Sequence, residues 1–212
     1  MFDGIAPRYD LVNRVMTLGL DRGWRRRAVA GLALPPDSRV LDLACGTGDL
    51  CRELSDHGHR ATGVDLSRGM LTAARTAAPL VEADILRLPV PDAAADGATC
   101  GFALRNVVDL PAFLAELGRA VRPGGRIALL EVAEPTSPVV RAGHAVWFGR
   151  VAPRIGGFLS DADAYRYLPR SVAYLPPTEE LLALVRRAGF ADVSRRVLLL
   201  GAAQLLLATR DR

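Results

Sequence analysis

The chain has 212 residues, 50% of them hydrophobic and 24% charged, with a formal net charge of +4. That is the composition of one soluble globular domain with a sizeable core, and it excludes disordered and fibrous classes. The basic residues are all Arg, and no basic tract interleaved with aromatics occurs, so nucleic acid is not an expected partner.

Cys45, Cys51 and Cys100 are an odd number without a CxxC spacing, and read as reduced thiols of a cytoplasmic protein. His57, His59 and His144 lack metal-ligand spacing, so no metal is expected. The N-terminus has no apolar signal-peptide core, and no apolar run is long enough to cross a bilayer. The modest basic excess still suits contact with an anionic membrane surface.

Residues 1–34 read as a helical cap. Phe2, Ile5, Ala6, Tyr9 and Val12 recur at helical spacing around Pro7, and Val15–Leu20 and Trp24–Leu32 continue the pattern. Tyr9, Asp10 and Asn13 are polar groups placed where such a cap closes over a ligand, whereas Trp24 reads as packing. After Pro35-Pro36-Asp37, the apolar run Val40, Leu41, Leu43 predicts a buried strand. Gly46-Thr47-Gly48 then predicts a tight turn, with a helix over 49–57 and a strand over 60–65. Ser67 is the expected N-cap of a helix from Arg68 to Ala77. Strands follow at 79–83, 99–104 and 126–132, with a helix introduced by Pro111 and running to Val121. This alternation predicts a parallel sheet with right-handed crossovers. It lapses over residues 135–177, which hold half of the aromatics and read as an inserted helical lid. Thr178 is the expected cap of a helix over 179–188 closed by Gly189, and strands at 192–199 and 203–209 form a hairpin around Gly201.

The glycine turn at a strand end is a nucleotide-type site. The third glycine of a dinucleotide fingerprint is replaced by Cys51, and no Lys follows the glycines as a phosphate loop requires. Asp65 ends the second strand, where a carboxylate accepts hydrogen bonds from both ribose hydroxyls. Asp84, in Val81-Glu-Ala-Asp84-Ile85, ends the third and can reach an adenine edge. A turn and two acids on successive strand ends suit a nucleoside without phosphates, and S-adenosylmethionine (SAM) fits because its sulfonium and ammonium prefer acidic surroundings.

Several stretches, spread over nearly the whole chain, together resemble the ubiquinone/menaquinone biosynthesis C-methyltransferase family. They are Phe2-Asp-Gly-Ile-Ala-Pro-Arg-Tyr-Asp10 with Asn13 and Trp24-Arg25, Leu41-Asp-Leu-Ala-Cys-Gly-Thr-Gly-Asp49, Gly63-Val-Asp-Leu-Ser-Arg-Gly-Met70, Leu104-Arg-Asn-Val-Val-Asp109 and Tyr165-Arg-Tyr-Leu-Pro-Arg-Ser-Val172. The resemblance implies an α/β, Rossmann-like class I SAM-dependent methyltransferase fold. Its sheet has seven strands, mostly parallel with an antiparallel last strand. The activity implied is SAM-dependent methylation of a ring carbon of a prenylated quinol. By position, Ala44, Gly46, Thr47, Asp65, Leu66, Asp84 and Ile85 are the implied SAM contacts. The lid aromatics Trp147, Phe148 and Tyr167 are assigned to the acceptor. Ala103 and Gly101 depart from the family pattern, which writes glycine before Leu-Arg-Asn and often serine at the latter position.

For the chemistry, Arg105 is expected to stabilise a developing phenolate and Asn106 to orient the ring oxygen. Tyr9 is assigned to the methionine carboxylate or an ordered water. Two plainer readings stand beside these: Arg105 as a salt bridge to Asp109, and His144 as a solvated helix residue rather than a base. The lid can rest on a membrane surface, form a homodimer interface or simply pack. The alternatives for the whole chain are a SAM-dependent methyltransferase of a polyketide or other secondary metabolite, and a SAM-binding interaction module without catalysis.

Overall fold

The structure is a computed structural model, and it describes residues 17, 19–133, 135, 137, 138, 141–143 and 175–211. The expectations placed on Tyr9, His144, Trp147, Phe148, Tyr167 and most of the lid lie outside these residues.

Seven strands form one sheet in the order β3-β2-β1-β4-β5-β7-β6. They are β1 Arg39–Leu43, β2 Arg60–Asp65, β3 Leu80–Glu82, β4 Ala95–Gly101, β5 Val121–Val132, β6 Phe190–Leu198 and β7 Ala203–Arg210. The first five pair in parallel, and β7 runs antiparallel to both β5 and β6. The described helices are α1 Asp21–Leu32, α2 Asp49–Asp56, α3 Arg68–Ala73, α4 Leu110–Ala120 and α5 Thr178–Arg187.

The helices bury the sheet from both sides. On one face, Phe113, Leu114 and Leu117 of α4 and Leu181 and Val185 of α5 share a core with Leu41, Leu43, Ile127, Leu129 and Leu206. On the other, Trp24, Val29 and Leu32 of α1 and Leu50 and Leu54 of α2 meet Val40, Leu130, Leu205 and Leu207. Alternate residues of one strand serve opposite faces, as the pleat requires. Covered on both faces, β5 is buried without a break over Ile127–Glu131 and β7 over Ala203–Ala208.

Local chemistry sets several ends. Ser67 caps α3 by accepting the Met70 N–H, as expected, although α3 stops at Ala73 instead of Ala77. Asp109 caps α4 by accepting the Ala112 N–H. Gly189 follows α5 at a φ of 83°, but Pro177, not Thr178, occupies the N-cap position. The fourth strand begins at Ala95, four residues before the expected start, and ends at Gly101. Asp96 is held in the strand by the Arg39 N–H at 2.7 Å and Arg122 Nε at 2.7 Å. Leu104 lies in a short 3-10 turn, Leu104–Asn106, and not in the strand.

Candidate functional site

The parallel strands all point their carboxyl ends at one edge of the sheet, and β1 lies between β2 and β4. The chain leaves β1 toward β2 and β3, then crosses back to β4, so the strand order reverses beside β1. Open α/β sheets bind ligands outside such a reversal. The register aligns the tips there: Leu43 is level with Val64 on one side and Cys100 on the other, and Gly101 is level with Leu130.

Two of these tips are strained. Ala44, just past β1, has a φ of 52°, and Phe102, just past β4, has a φ of 59°. Both are non-glycine residues in the left-handed region, a conformation that clusters at functional sites. Between them, Gly46 and Gly48 at φ values of 53° and 80° turn the chain into α2. Among the described residues, a Cβ on Gly46 would meet nothing within 4 Å, so these residues leave space above the turn. A Cβ on Gly48 would come within 2.7 Å of the Thr76 side chain.

Asp65 ties this turn to its neighbour. Its Oδ2 accepts the Gly46 N–H at 2.7 Å and its Oδ1 the Ser67 N–H at 2.8 Å. An ionised carboxylate has about four acceptor positions, so further hydroxyl donors can be accommodated. The Asp65 carbonyl also accepts the Ala83 N–H at 3.1 Å, which brings the end of β3 alongside. Asp84 is exposed there and accepts the Leu86 N–H at 2.9 Å, while Ile85 packs against the core. Leu66 is 69% exposed beside Asp65, and Thr47 is buried. Asp65, Asp84, Ile85, Leu66, Ala44, Gly46 and Thr47 thus come from three adjacent strand ends. Open space above Gly46 and carboxylates beside it fit an adenosyl group.

Helix α1 braces the turn from behind. Arg25 is buried, pairs with Asp21 and Asp49, and lies 5.7 Å above the Phe102 ring. Trp24 packs at 6.2 Å from the same ring, a packing role as expected.

Asp42, one residue before the end of β1, received no role in the sequence reading. It is buried and accepts hydrogen bonds from Thr99 Oγ1 at 2.9 Å and Cys51 Sγ at 3.3 Å. Burial pushes its pKa up to about 7, against the opposing pull of those hydrogen bonds and of Arg25. Cys51 and Cys100 are fully buried. A hydrogen bond with Cys45, together with burial, pushes the Cys51 thiol up, and burial pushes up that of Cys100. Thiols raised in this way do not act as nucleophiles.

Gly101 has a steric reason. A Cβ there would lie 2.7 Å from Leu50 Cδ1, so the serine often found in the family would force this side chain to move.

On the other side of the reversal stands an ion pair. Arg105 is 8% exposed, and its Nη1 pairs with Glu131 and donates to the Phe102 carbonyl at 2.8 Å. The expected alternative partner, Asp109, is instead the cap of α4. Glu131 lies on β5, the neighbour of β4, on the same face as Ile127 and Leu129. It was missed because its partner is 26 residues away in sequence. The available signal was an acid inside the buried run Ile127–Val132, which demands a cation or several donors. Asn106 follows Arg105 in the same short turn, its N–H donating to the Ala103 carbonyl at 2.8 Å.

Comparison with known proteins gives the family and the fold. The profile of the ubiE/COQ5 methyltransferase family matches residues 1–210. A demethylmenaquinone methyltransferase of Roseiflexus castenholzii is 45% identical over 97% of this chain and 90% of its own length. The ubiquinone/menaquinone biosynthesis C-methyltransferase UbiE of Syntrophotalea carbinolica is 42% identical over 92% of this chain and 86% of its own. In fold, the chain is similar to a putative methyltransferase solved with the Haloferax volcanii activator Trm112. The TM-score is 0.70 at 19% identity, covering 100% of this chain and 98% of that one. It is also similar to a Haemonchus contortus phosphoethanolamine N-methyltransferase in complex with SAM, with a TM-score of 0.64 at 14% identity over 88% of this chain and 52% of that one. The chain belongs to the ubiE/COQ5 methyltransferase family.

Proposed function

We propose that this chain is a SAM-dependent C-methyltransferase acting on a ring carbon of a prenylated quinol of the demethylmenaquinol type. The observation that carries this reading is the juxtaposition at one strand reversal. The glycine turn and Asp65 stand on one side, and the Arg105–Asn106 turn on the other. Relatives more than 40% identical over most of the chain, named for this reaction, support the acceptor.

When bound, SAM supplies an electrophilic methyl carbon on a sulfonium. Asp65 would accept the ribose hydroxyls, Asp84 would face the adenine edge, and Ile85 and Leu66 would flank the base. Gly46 leaves room for the nucleoside, and Ala44 and Thr47 shape the turn beneath it. On the acceptor side, a ring hydroxyl must lose its proton so that the adjacent carbon becomes nucleophilic. Arg105 would stabilise the developing phenolate, and Asn106 would orient the ring oxygen. Arg stays protonated, so the proton leaves to another acceptor. Methylation would replace the ring carbon's own proton with the methyl group, so that proton too would need an acceptor. Tyr9 would order the methionine end, and Trp147, Phe148 and Tyr167 would hold the ring and its chain.

Among the described residues, no helix is long and apolar enough to cross a membrane. The same reading places the chain in the cytoplasm, with residues 135–177 meeting the inner membrane face from which a prenylated quinol is drawn. Flotation with anionic liposomes is expected to carry the protein upward; no association with any vesicle would remove that element. Transfer of label from methyl-labelled SAM into a demethylmenaquinol, with the product identified by mass spectrometry, tests the reading as a whole. Labelling of no quinol would contradict it.

A further inference from the structure

The chemistry above leaves the deeply buried Glu131 without a task. Glu131 is 0% exposed. Its Oε1 pairs with Arg105 Nη1 and accepts the Val132 N–H at 2.8 Å, and its Oε2 accepts the Arg105 backbone N–H at 3.2 Å. One carboxylate therefore holds the guanidinium and the backbone of the same residue. We propose that Glu131 is a positioning residue that aims Arg105, and with it Asn106, at the acceptor. This rests on the reading of Arg105 as the group facing the acceptor oxygen.

Neutralising Arg105 needs only the contact to its guanidinium. The second contact, to the backbone N–H, adds little to the charge balance. It fixes the rotation of the turn Leu104–Asn106, which is only three residues long. The Phe102 carbonyl holds Nη1 from the β4 side, so the guanidinium is gripped from two neighbouring strands. The Val132 N–H in turn fixes the carboxylate against its own strand. Arg105 is thus oriented before any acceptor arrives, which is what electrostatic stabilisation of a transition state requires. Glutamine has the same shape but no charge, and its amide nitrogen brings N–H groups to a position that now accepts them.

The test uses the full chain, with demethylmenaquinol as acceptor. Glu131→Gln should bind SAM within about twofold of wild type by calorimetry and keep the acceptor KM within about threefold, while kcat falls by about 10- to 100-fold. Glu131→Gln in an Arg105→Ala background should lower kcat by no more than about threefold further, because both changes remove one function. A role in stability alone would lower the melting temperature and leave kcat untouched at temperatures where the variant is folded. That result would overturn the proposal, as would independent, multiplying effects in the double variant. If Glu131→Gln does not fold, Arg105→Lys replaces it. Lysine keeps the charge without the planar fork, so kcat should fall comparably with SAM binding retained; a wild-type kcat would overturn the proposal. Absence of turnover by the wild-type enzyme would overturn the function reading itself, whereas an active wild type with Glu131→Gln at full kcat overturns this proposal alone.

Discussion

The two sides of the strand reversal are built by different means. The side formed by β1, β2 and β3 is made of backbone: positive-φ turns, N–H groups held by Asp65, and the carbonyl of Asp65 joined to Ala83. The side formed by β4, β5 and β7 is made of side chains: Arg105 with Glu131, and Gln204 opposite Glu131 accepting from Arg195 Nε at 2.6 Å. A backbone cradle recognises a cofactor by shape and can recur under many acceptors. A buried ion pair is costly to dehydrate and loses about 3–5 kcal/mol when one partner is removed. It suits the side where charge develops during reaction.

This division should appear as separable defects. The largest is expected for Arg105→Ala: kcat for methyl transfer should fall by about 1000-fold, about 4 kcal/mol of transition-state stabilisation. SAM affinity measured by calorimetry should stay within about twofold of wild type. An equal loss of SAM affinity would merge the two sides.

Asp42 sharpens the contrast, because it is a deeply buried acid beneath the cofactor turn. Its folded pKa, about 7, stands above the ordinary 3.8. Between those values the folded state holds more protons than the unfolded one, so stability falls as pH rises across the window. Asp42→Asn removes this ionisation. Relative to wild type, the variant should gain on the order of 3 kcal/mol between pH 4 and pH 8, read from denaturant midpoints. A pH-independent difference would mean that Asp42 titrates alike in the folded and unfolded states.

For Asp65→Ala, loss of two charge-assisted hydrogen bonds should weaken SAM binding by about 50-fold, about 2.3 kcal/mol. The kcat at saturating SAM should change by no more than about threefold. A loss confined to kcat would move Asp65 to the other side of the comparison. The smallest effect is expected for Ser67→Ala, which deletes the cap of α3: about 1 kcal/mol of stability, seen in thermal melts, with SAM bound at close to wild-type strength.

The same contrast explains what could be read from the sequence. The cofactor side is local: Val40 to Asp49 states its strand, its turn and its helix start within ten residues, and Ser67 announces its own cap. Asp65 is legible because it ends an apolar run. The acceptor side depends on a contact between residues 105 and 131, which no periodicity reveals, so the only ion-pair partner the sequence offered Arg105, as the plainer alternative, was the nearer Asp109. The start of β4 was misplaced for a related reason, since Asp96 is stabilised in the strand by Arg39 and Arg122, each far from it in sequence. The Thr178 cap missed by a single residue, the ordinary uncertainty of helix ends. Asp42 was visible but silent, because only the structure shows Thr99 and Cys51 around it.

The most direct measurement is a crystal structure with S-adenosylhomocysteine. The account predicts the ribose hydroxyls on the Asp65 carboxylate, the adenine beside Asp84 and Ile85, and the sulfur turned toward the Arg105 side of the reversal. A nucleoside bound away from the Gly46 turn, or a sulfur facing away from β4, would contradict it.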